Sequence, residues 1–418
     1  MGRELVIMVP TQVKRNLNMG NIYEFILGDF YTKVKHMKGE EADLAITWNA
    51  NGKPVEELVI REMEGAFSRE KAHHLVDSMI ESANKVMSNF YIEPDIQLRD
   101  DDIQIGVEKL MNNRYSEYYT SGNCKVVICP SCQSAIGSDE SVNRCNHCGT
   151  PTVIKNMDTL YRRVLRSDIE TKMMNTSFYP EGCKKRLDEL INNLPDDYNV
   201  ILEKKRLYTL QHGEYSLDPR FITIFSLPVI KHKKEIEYDE ITVIQGDVVK
   251  KYDYYAYTYL HPSDCPNNIF MHGLILDENK KKLRWRSDES RNISTDGIYP
   301  GVKCKEFRAF LLKHNLTDNI IINPNTIKND VKGQVNLYIT MKRLMDSRNL
   351  DVENNGIRKE LDLLHKSFLN KASSMRMHDA YMDMKNFVNN CWKLTKDDKM
   401  SKEEQNIISC YMRLYYGE

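Results

Sequence analysis

Leu5-Val6-Ile7-Met8-Val9, running into Pro10 and a polar loop from Thr11 to Asn18, is followed by Gly20 and then by Phe25, Leu27, Phe30, Val34 and Met37 at three- and four-residue steps. A second apolar run, Leu44-Ala45-Ile46-Thr47-Trp48, comes after Gly39. The first run is strand-like and too short for a secretory core, the periodic segment is an amphipathic helix that stops at Gly39, and the third is another strand. Strand, loop, helix and strand in that order predict a βαβ unit of a parallel sheet. In such sheets the loop at the carboxyl end of the first strand is where nucleotides bind.

Working outward, residues from about 60 to 120 are mostly helical by pattern, and a cysteine-bearing insert follows. Strand patterns resume at Phe221-Ile222-Thr223-Ile224-Phe225, Ile241-Thr242-Val243-Ile244 and Met271 to Leu276, so the sheet is predicted to be split in sequence and completed after the insert. The last stretch keeps helical spacing through Leu337, Met341 and Leu344, then Ile357, Leu361, Leu364 and Phe368, then Tyr381, Met384, Phe387, Cys391 and Leu394. These stripes predict the core of a helical bundle, without chemistry of their own. The fold class read from the sequence is therefore α/β: a Rossmann-type parallel sheet split by a zinc-ribbon insert, with a C-terminal α-helical bundle. The divisions are 1–120, 121–160, 161–330 and 331–418.

The insert carries Cys129-Pro130-Ser131-Cys132 and Cys145-Asn146-His147-Cys148, with Gly149 after the second pair. Two such pairs present four thiolates to one ion, the spacing of a structural Zn2+ ribbon, and a four-thiolate site leaves no open coordination position for catalysis. The other six cysteines show no ligand spacing and read as buried thiols. The chain has 418 residues, 41% of them apolar, enough to bury a large core. Its 59 basic and 60 acidic residues leave a net charge of -1, so no global field draws in nucleic acid. No apolar run approaches the roughly 20 residues that span a bilayer, and the expected location is cytoplasmic, with no membrane partner.

The order of parts resembles the class I aminoacyl-tRNA synthetases, in particular the leucyl and methionyl branch. Asn18-Met19-Gly20-Asn21, with Leu27-Gly28-Asp29 and His36-Met37-Lys38-Gly39 behind it, is similar to the HIGH element and the helix that ends in R-M-K-G. Trp48-Asn49-Ala50-Asn51-Gly52-Lys53-Pro54-Val55-Glu56 is similar to the leucyl-type W-D-A-F-G-L-P-A-E, the zinc ribbon comes next, and Gln245-Gly246-Asp247 stands where the family has its ribose-contacting turn. The helices from Leu361 to Leu394 resemble the anticodon-domain bundle. The resemblance implies a Rossmann catalytic core and ATP-driven activation of a carboxylate as an adenylate, with Mg2+ accompanying ATP. It places Gly20, Gly246 and Asp247 at the nucleotide and Trp48, Asn49 and Gly52 at the substrate.

The departures alter the expected chemistry. Asn18 and Asn21 replace the two histidines of HIGH, and an amide can donate a hydrogen bond to a phosphate but carries no positive charge. Around the expected KMSKS loop stands Lys280-Lys281-Lys282-Leu283-Arg284-Trp285-Arg286-Ser287-Asp288, where Arg284 or Arg286 would reach a pyrophosphate; a solvated basic loop is the alternative. Lys14, Arg15 and Lys53 add further cations, or are ordinary surface residues. Lys399-Met400-Ser401-Lys402-Glu403 falls behind the bundle and reads as a helix start, with Ser401 and Glu404 forming a capping box. Asn49 replaces the aspartate that pairs with a substrate ammonium, so an ion pair becomes a neutral hydrogen bond.

An editing domain does not fit between the ribbon and the resumed strands, and the anticodon module is expected to be truncated. The expectation is an adenylate-forming ligase that activates an unusual amino acid or carboxylic acid and passes it to a small molecule or carrier protein. A catalytically silent paralogue that binds a ligand, RNA or protein is the alternative. Charging of tRNA by a true leucyl or methionyl ligase ranks last.

Overall fold

The computed structural model describes residues 2–8, 11–13, 17–50, 58, 62, 68–110, 120–131, 135–137, 143–144, 150–192, 197–204, 211–212, 215–216, 226–227, 229–230, 236–246, 265–281, 301–347, 355–395 and 400–418. The opening run forms β1 (Arg3–Met8), with β2 (Thr11–Gln12) just beyond it, and the periodic segment forms α1 (Met19–Met37). The second apolar run is β3 (Glu41–Asn49). Gly39, at φ 75°, turns the chain between α1 and β3 in the left-handed region that glycine tolerates. The helical stretch that follows comprises α2 (Arg69–Asn89) and α3 (Asp100–Leu110), separated by a short strand β4 (Ile96–Leu98).

The insert is an antiparallel sheet. Its long strands β5 (Thr120–Ile128) and β7 (Val153–Leu165) pair with each other, and β6 (Ala135–Gly137) borders β5. After α4 (Arg166–Met173), a strand of three residues, β8 (Ser177–Tyr179), returns to the parallel sheet, followed by α5 (Gly182–Asn192). Then β9 (Asp197–Lys204), β10 (Gln211–His212) and β11 (Tyr215–Ser216) rejoin the antiparallel sheet on the far side of β7.

The second half of the parallel sheet is β12 (Glu240–Gly246) and β13 (Asn268–His272), in line with the expectation for Ile241–Ile244 and for the start of the Met271 run. Leu276 falls instead in a separate short ladder, β14 (Ile275–Leu276) with β15 (Ile320–Ile321). The stretch Phe221–Phe225 lies outside the described residues. Across the parallel sheet the order is β4-β3-β1-β12-β13-β8, every pair parallel, with β2 alongside the end of β3. The chain moves from β1 to β3 on one side and has β12 on the other, so the topology reverses between β1 and β12, where open α/β sheets bind their ligands.

Strand alternation sends Val6, Met8, Leu44, Ile46, Trp48 and Ile244 to the face covered by α1, where they join the core with Ile22, Phe25, Ile26 and Phe30. Gly28 permits the close approach: a Cβ there would stand 2.5 Å from Met8 Sδ and 2.9 Å from Leu44 Cδ1.

After α6 (Cys304–Leu312) and the short α7 (Ile327–Asp330), the C-terminal helices are α8 (Lys332–Met345), α9 (Asn355–Ser373), α10 (Met377–Thr395) and α11 (Lys402–Tyr416). Leu337, Met341, Leu344, Leu361, Phe368, Met384, Phe387 and Cys391 are buried as their spacing requires. Ser401 caps α11: its hydroxyl accepts the Glu404 N–H while Glu404 accepts the Ser401 N–H at 2.7 Å, the predicted capping box.

The bundle is tied to the sheet through Arg308 on α6. Its guanidinium donates to Asp29 on α1 (2.5 Å), to the Leu414 carbonyl in the last turn of α11 (2.9 and 3.0 Å) and to the Phe90 carbonyl that caps α2 (3.1 Å). Lys33 adds bonds to Asp29 (2.8 Å) and to the Tyr91 carbonyl (3.1 Å). Two helix C-termini, each the negative end of a dipole, and one carboxylate thus converge on two cations.

Candidate active site

The carboxyl ends of β1, β3, β12 and β13 converge with the N-terminus of α1, and most of the described residues expected at a site lie there. Asn18 sits in extended backbone (φ -82°, ψ 160°) and its Oδ1 accepts the Asn21 N–H at 2.9 Å, so it is the N-cap of α1. Gly20 is in the same turn, where a Cβ would come within 3.2 Å of Asn18 Oδ1. The first turn of α1 contains no acidic residue, and its last turn carries Lys35 and His36. Its positive dipole end therefore favours an anion such as a phosphate.

On β3 the two expected substrate contacts part company. Trp48 is 1% exposed, meets Phe25 edge to face at 6.0 Å and donates its indole N–H to Gln97 at 3.0 Å. It is a core residue under α1, because strand alternation turns it to that face. Asn49 turns the other way at the strand's end and is partly exposed; its carbonyl accepts the Val13 N–H at 2.9 Å.

Gly246 ends β12 beside His272 at the end of β13, and a Cβ on it would lie 3.4 Å from His272 Cε1. His272 Nδ1 donates to the Gly273 carbonyl at 2.8 Å, which leaves Nε2 facing Glu24 at 3.9 Å. Tyr23 meets the His272 ring edge to face at 5.1 Å, and burial pushes its phenol well above the usual tyrosine range, so it stays protonated. Tyr23, Glu24 and His272 were not singled out from the sequence, and Thr47 and Gln245, described below, stood inside quoted stretches without a role of their own. The one available signal was a polar residue inside or at the end of an otherwise apolar strand.

Gly52, Asp247, Arg284 and Arg286 lie outside the described residues, as do Lys14, Arg15 and Lys53. Of the zinc quartet, Cys129 is buried just past the end of β5, and Cys132, Cys145 and Cys148 lie outside the described residues. Among the described residues no group of three or more histidine, cysteine or acidic side chains is placed to hold a metal ion. No helix among them is long and apolar enough to cross a membrane.

No family model and no curated protein matches the sequence. Solved structures do match over the whole chain. Mycobacterium tuberculosis methionyl-tRNA synthetase in complex with methionyl-adenylate superposes with a TM-score of 0.77 at 12% identity, covering 100% of this chain and 92% of that one. This chain shares the fold of that methionyl-tRNA synthetase. A second structure of that enzyme bound by methionyl-adenylate gives a TM-score of 0.76 at 13% identity, over 99% and 92% of the two chains. Its free state gives 0.68 at 12%, over 100% and 90%. The parallel sheet with flanking helices and a C-terminal helical region, expected from the order of motifs, is the architecture these structures share.

Proposed function

We propose that this chain is an ATP-dependent ligase that activates an amino acid or related carboxylic acid as an adenylate and transfers it to an acceptor other than tRNA. The observation that carries the reading is the topological switch point between β1 and β12, faced by a helix N-terminus without acidic residues, in a fold shared with a synthetase bound by methionyl-adenylate. A substrate carboxylate oxygen would attack the α-phosphorus of ATP, forming one P–O bond as the bond to pyrophosphate breaks. The α1 N-terminus would stabilise phosphate charge, and the Asn18 and Asn21 amides would donate hydrogen bonds where imidazoles serve in the family. Gly20, Gly246 and Asp247 would border the nucleotide, Arg284 and Arg286 would meet the departing pyrophosphate, and Mg2+ would accompany ATP. Asn49 and Gly52 would approach the substrate.

In the same proposal Cys129, Cys132, Cys145 and Cys148 hold a structural Zn2+ within the insert. Four thiolates would fill its coordination sphere and keep it out of the chemistry.

A second reading has its own support. Asn18 is engaged as a helix cap and both imidazoles are gone, which favours a silent paralogue that binds ATP or another ligand without turnover. A single-turnover reaction with ATP labelled at the α-phosphate separates the two. The ligase forms a labelled acyl-adenylate with at least one carboxylate, and Asn18→Ala and Arg286→Ala reduce it. ATP binding with no adenylate from a broad panel of acids would select the silent paralogue.

A further inference from the structure

The face of the parallel sheet turned away from α1 carries Asp43, Ala45, Thr47 and Asn49 on β3, and Ile241, Val243 and Gln245 on β12. At the amino end of that face every polar demand of Asp43 is met: Arg3 donates twice at 2.8 Å and the Tyr238 hydroxyl donates at 2.7 Å. The middle is apolar. At the carboxyl end the pattern reverses. Thr47 is 1% exposed and Gln245 3%, yet Thr47 Oγ1 and both Gln245 amide atoms, Nε2 and Oε1, have no hydrogen-bond partner among the described residues.

These two side chains are not scattered. Ile7 on β1 is in register with Ala45 on one side and with Val243 on the other. Thr47 and Gln245, each two residues further, therefore stand on the two sides just past the end of β1, about 10 Å apart across two strand spacings. This is the topological switch point, and Asn49 follows Thr47 on the same face. Burying an amide with neither its donor nor its acceptor matched is costly, and native folds keep such groups where something else completes them.

We propose that Thr47 and Gln245 are specificity-determining residues that read a polar side group of the substrate acid. A carboxamide, a urea or a hydroxyl group offers the acceptor that Gln245 Nε2 needs and the donor that Gln245 Oε1 and Thr47 Oγ1 accept. An alkyl chain or a thioether offers neither, so leucine and methionine are poor ligands. This inference rests on the carboxylate-binding reading of the site above, but it does not require that ATP be turned over.

The test is calorimetry on the full chain with L-glutamine, L-asparagine and L-homoserine against L-leucine and L-methionine, with thermal melts of the ligand-free protein and of Gln245→Leu. The expected result is binding of an amide- or hydroxyl-bearing acid at least tenfold tighter than leucine or methionine, with the order inverted in Gln245→Leu. Ligand-free Gln245→Leu should also melt higher than the parent, because an unmatched amide has been removed. Tighter binding of leucine or methionine by the parent would overturn the proposal and leave carboxylate activation standing. Polar acids that bind without adenylate formation would do the opposite. If no acid in the panel binds, the melts decide: a lower melting temperature for Gln245→Leu means that the amide is satisfied within the fold, and the proposal fails.

Discussion

Arg308 and Asp29 are joined at 2.5 Å between Nη2 and Oδ2, their side chains 0% and 3% exposed, although they belong to α6 and α1. The pair sits where α2 and α11 end, so the helix whose N-terminus faces the switch point is held by the same guanidinium that receives the C-terminal helix.

Removing either partner breaks the junction. Arg308→Met leaves the Leu414 and Phe90 carbonyls without their donor, and Asp29→Asn leaves the guanidinium with uncompensated charge. Each change should cost about 3–5 kcal/mol in urea unfolding, and the double variant should cost clearly less than the sum. Strict additivity would show that the two side chains do not act as a unit.

Gly28 and Gly333 are both helical, but only one is crowded. Gly28→Ala drives a methyl into Met8 and Leu44 and should destabilise by about 1–3 kcal/mol, whereas nothing lies within 4 Å of a Cβ at Gly333. Gly333→Ala should be neutral or add about 0.4–1 kcal/mol. Denaturation midpoints measured side by side check the contrast, and equal losses would mean that the packing of α1 on the sheet is looser than described.

His365 lies inside the bundle, its Nδ1 2.9 Å from the Tyr411 hydroxyl and its ring against Phe368 and Phe387. Burial lowers its pKa, and His314 is lowered by burial and by Lys313. A folded pKa below the unfolded value means that the unfolded chain binds more protons between the two. The histidine contribution is thus fully present above about pH 6.5 and is lost as pH falls through the folded values. Melting temperature should fall between pH 7 and pH 5, and His365→Gln should flatten that slope. An unchanged slope would exclude His365 as a source.

Where the structure agrees with the sequence, the information was local. The βαβ opening follows from apolar periods within fifty residues, and the Ser401–Glu404 box from two side chains one helical turn apart. Where it adds something, the contacts are remote. Nothing near Ser177 announces that three residues will form the edge of the parallel sheet, because so short a strand has no readable period. Trp48 was legible as an apolar strand residue, but the face it takes is set by register. Thr47 and Gln245 come to the same end of the sheet only once β3, β1 and β12 are aligned, and neither strand alone carries that register.

Asn49 tests the substrate side of the account. Asn49→Asp places a carboxylate at the end of β3 and should tighten binding of a zwitterionic amino acid on the order of tenfold, since charge-assisted hydrogen bonds are about twice as strong as neutral ones. Titration of the variant with the best ligand of the parent measures it, and an unchanged affinity would place the substrate ammonium elsewhere.

The central claim, that a carboxylate is activated at the switch point between β1 and β12, is tested most directly by exchange of labelled pyrophosphate into ATP across a panel of amino and carboxylic acids. The account predicts acid-dependent exchange, strongest with an acid bearing an amide or hydroxyl side group and reduced in Asn18→Ala. No exchange with any acid, while a conventional synthetase assayed alongside exchanges normally, would contradict it.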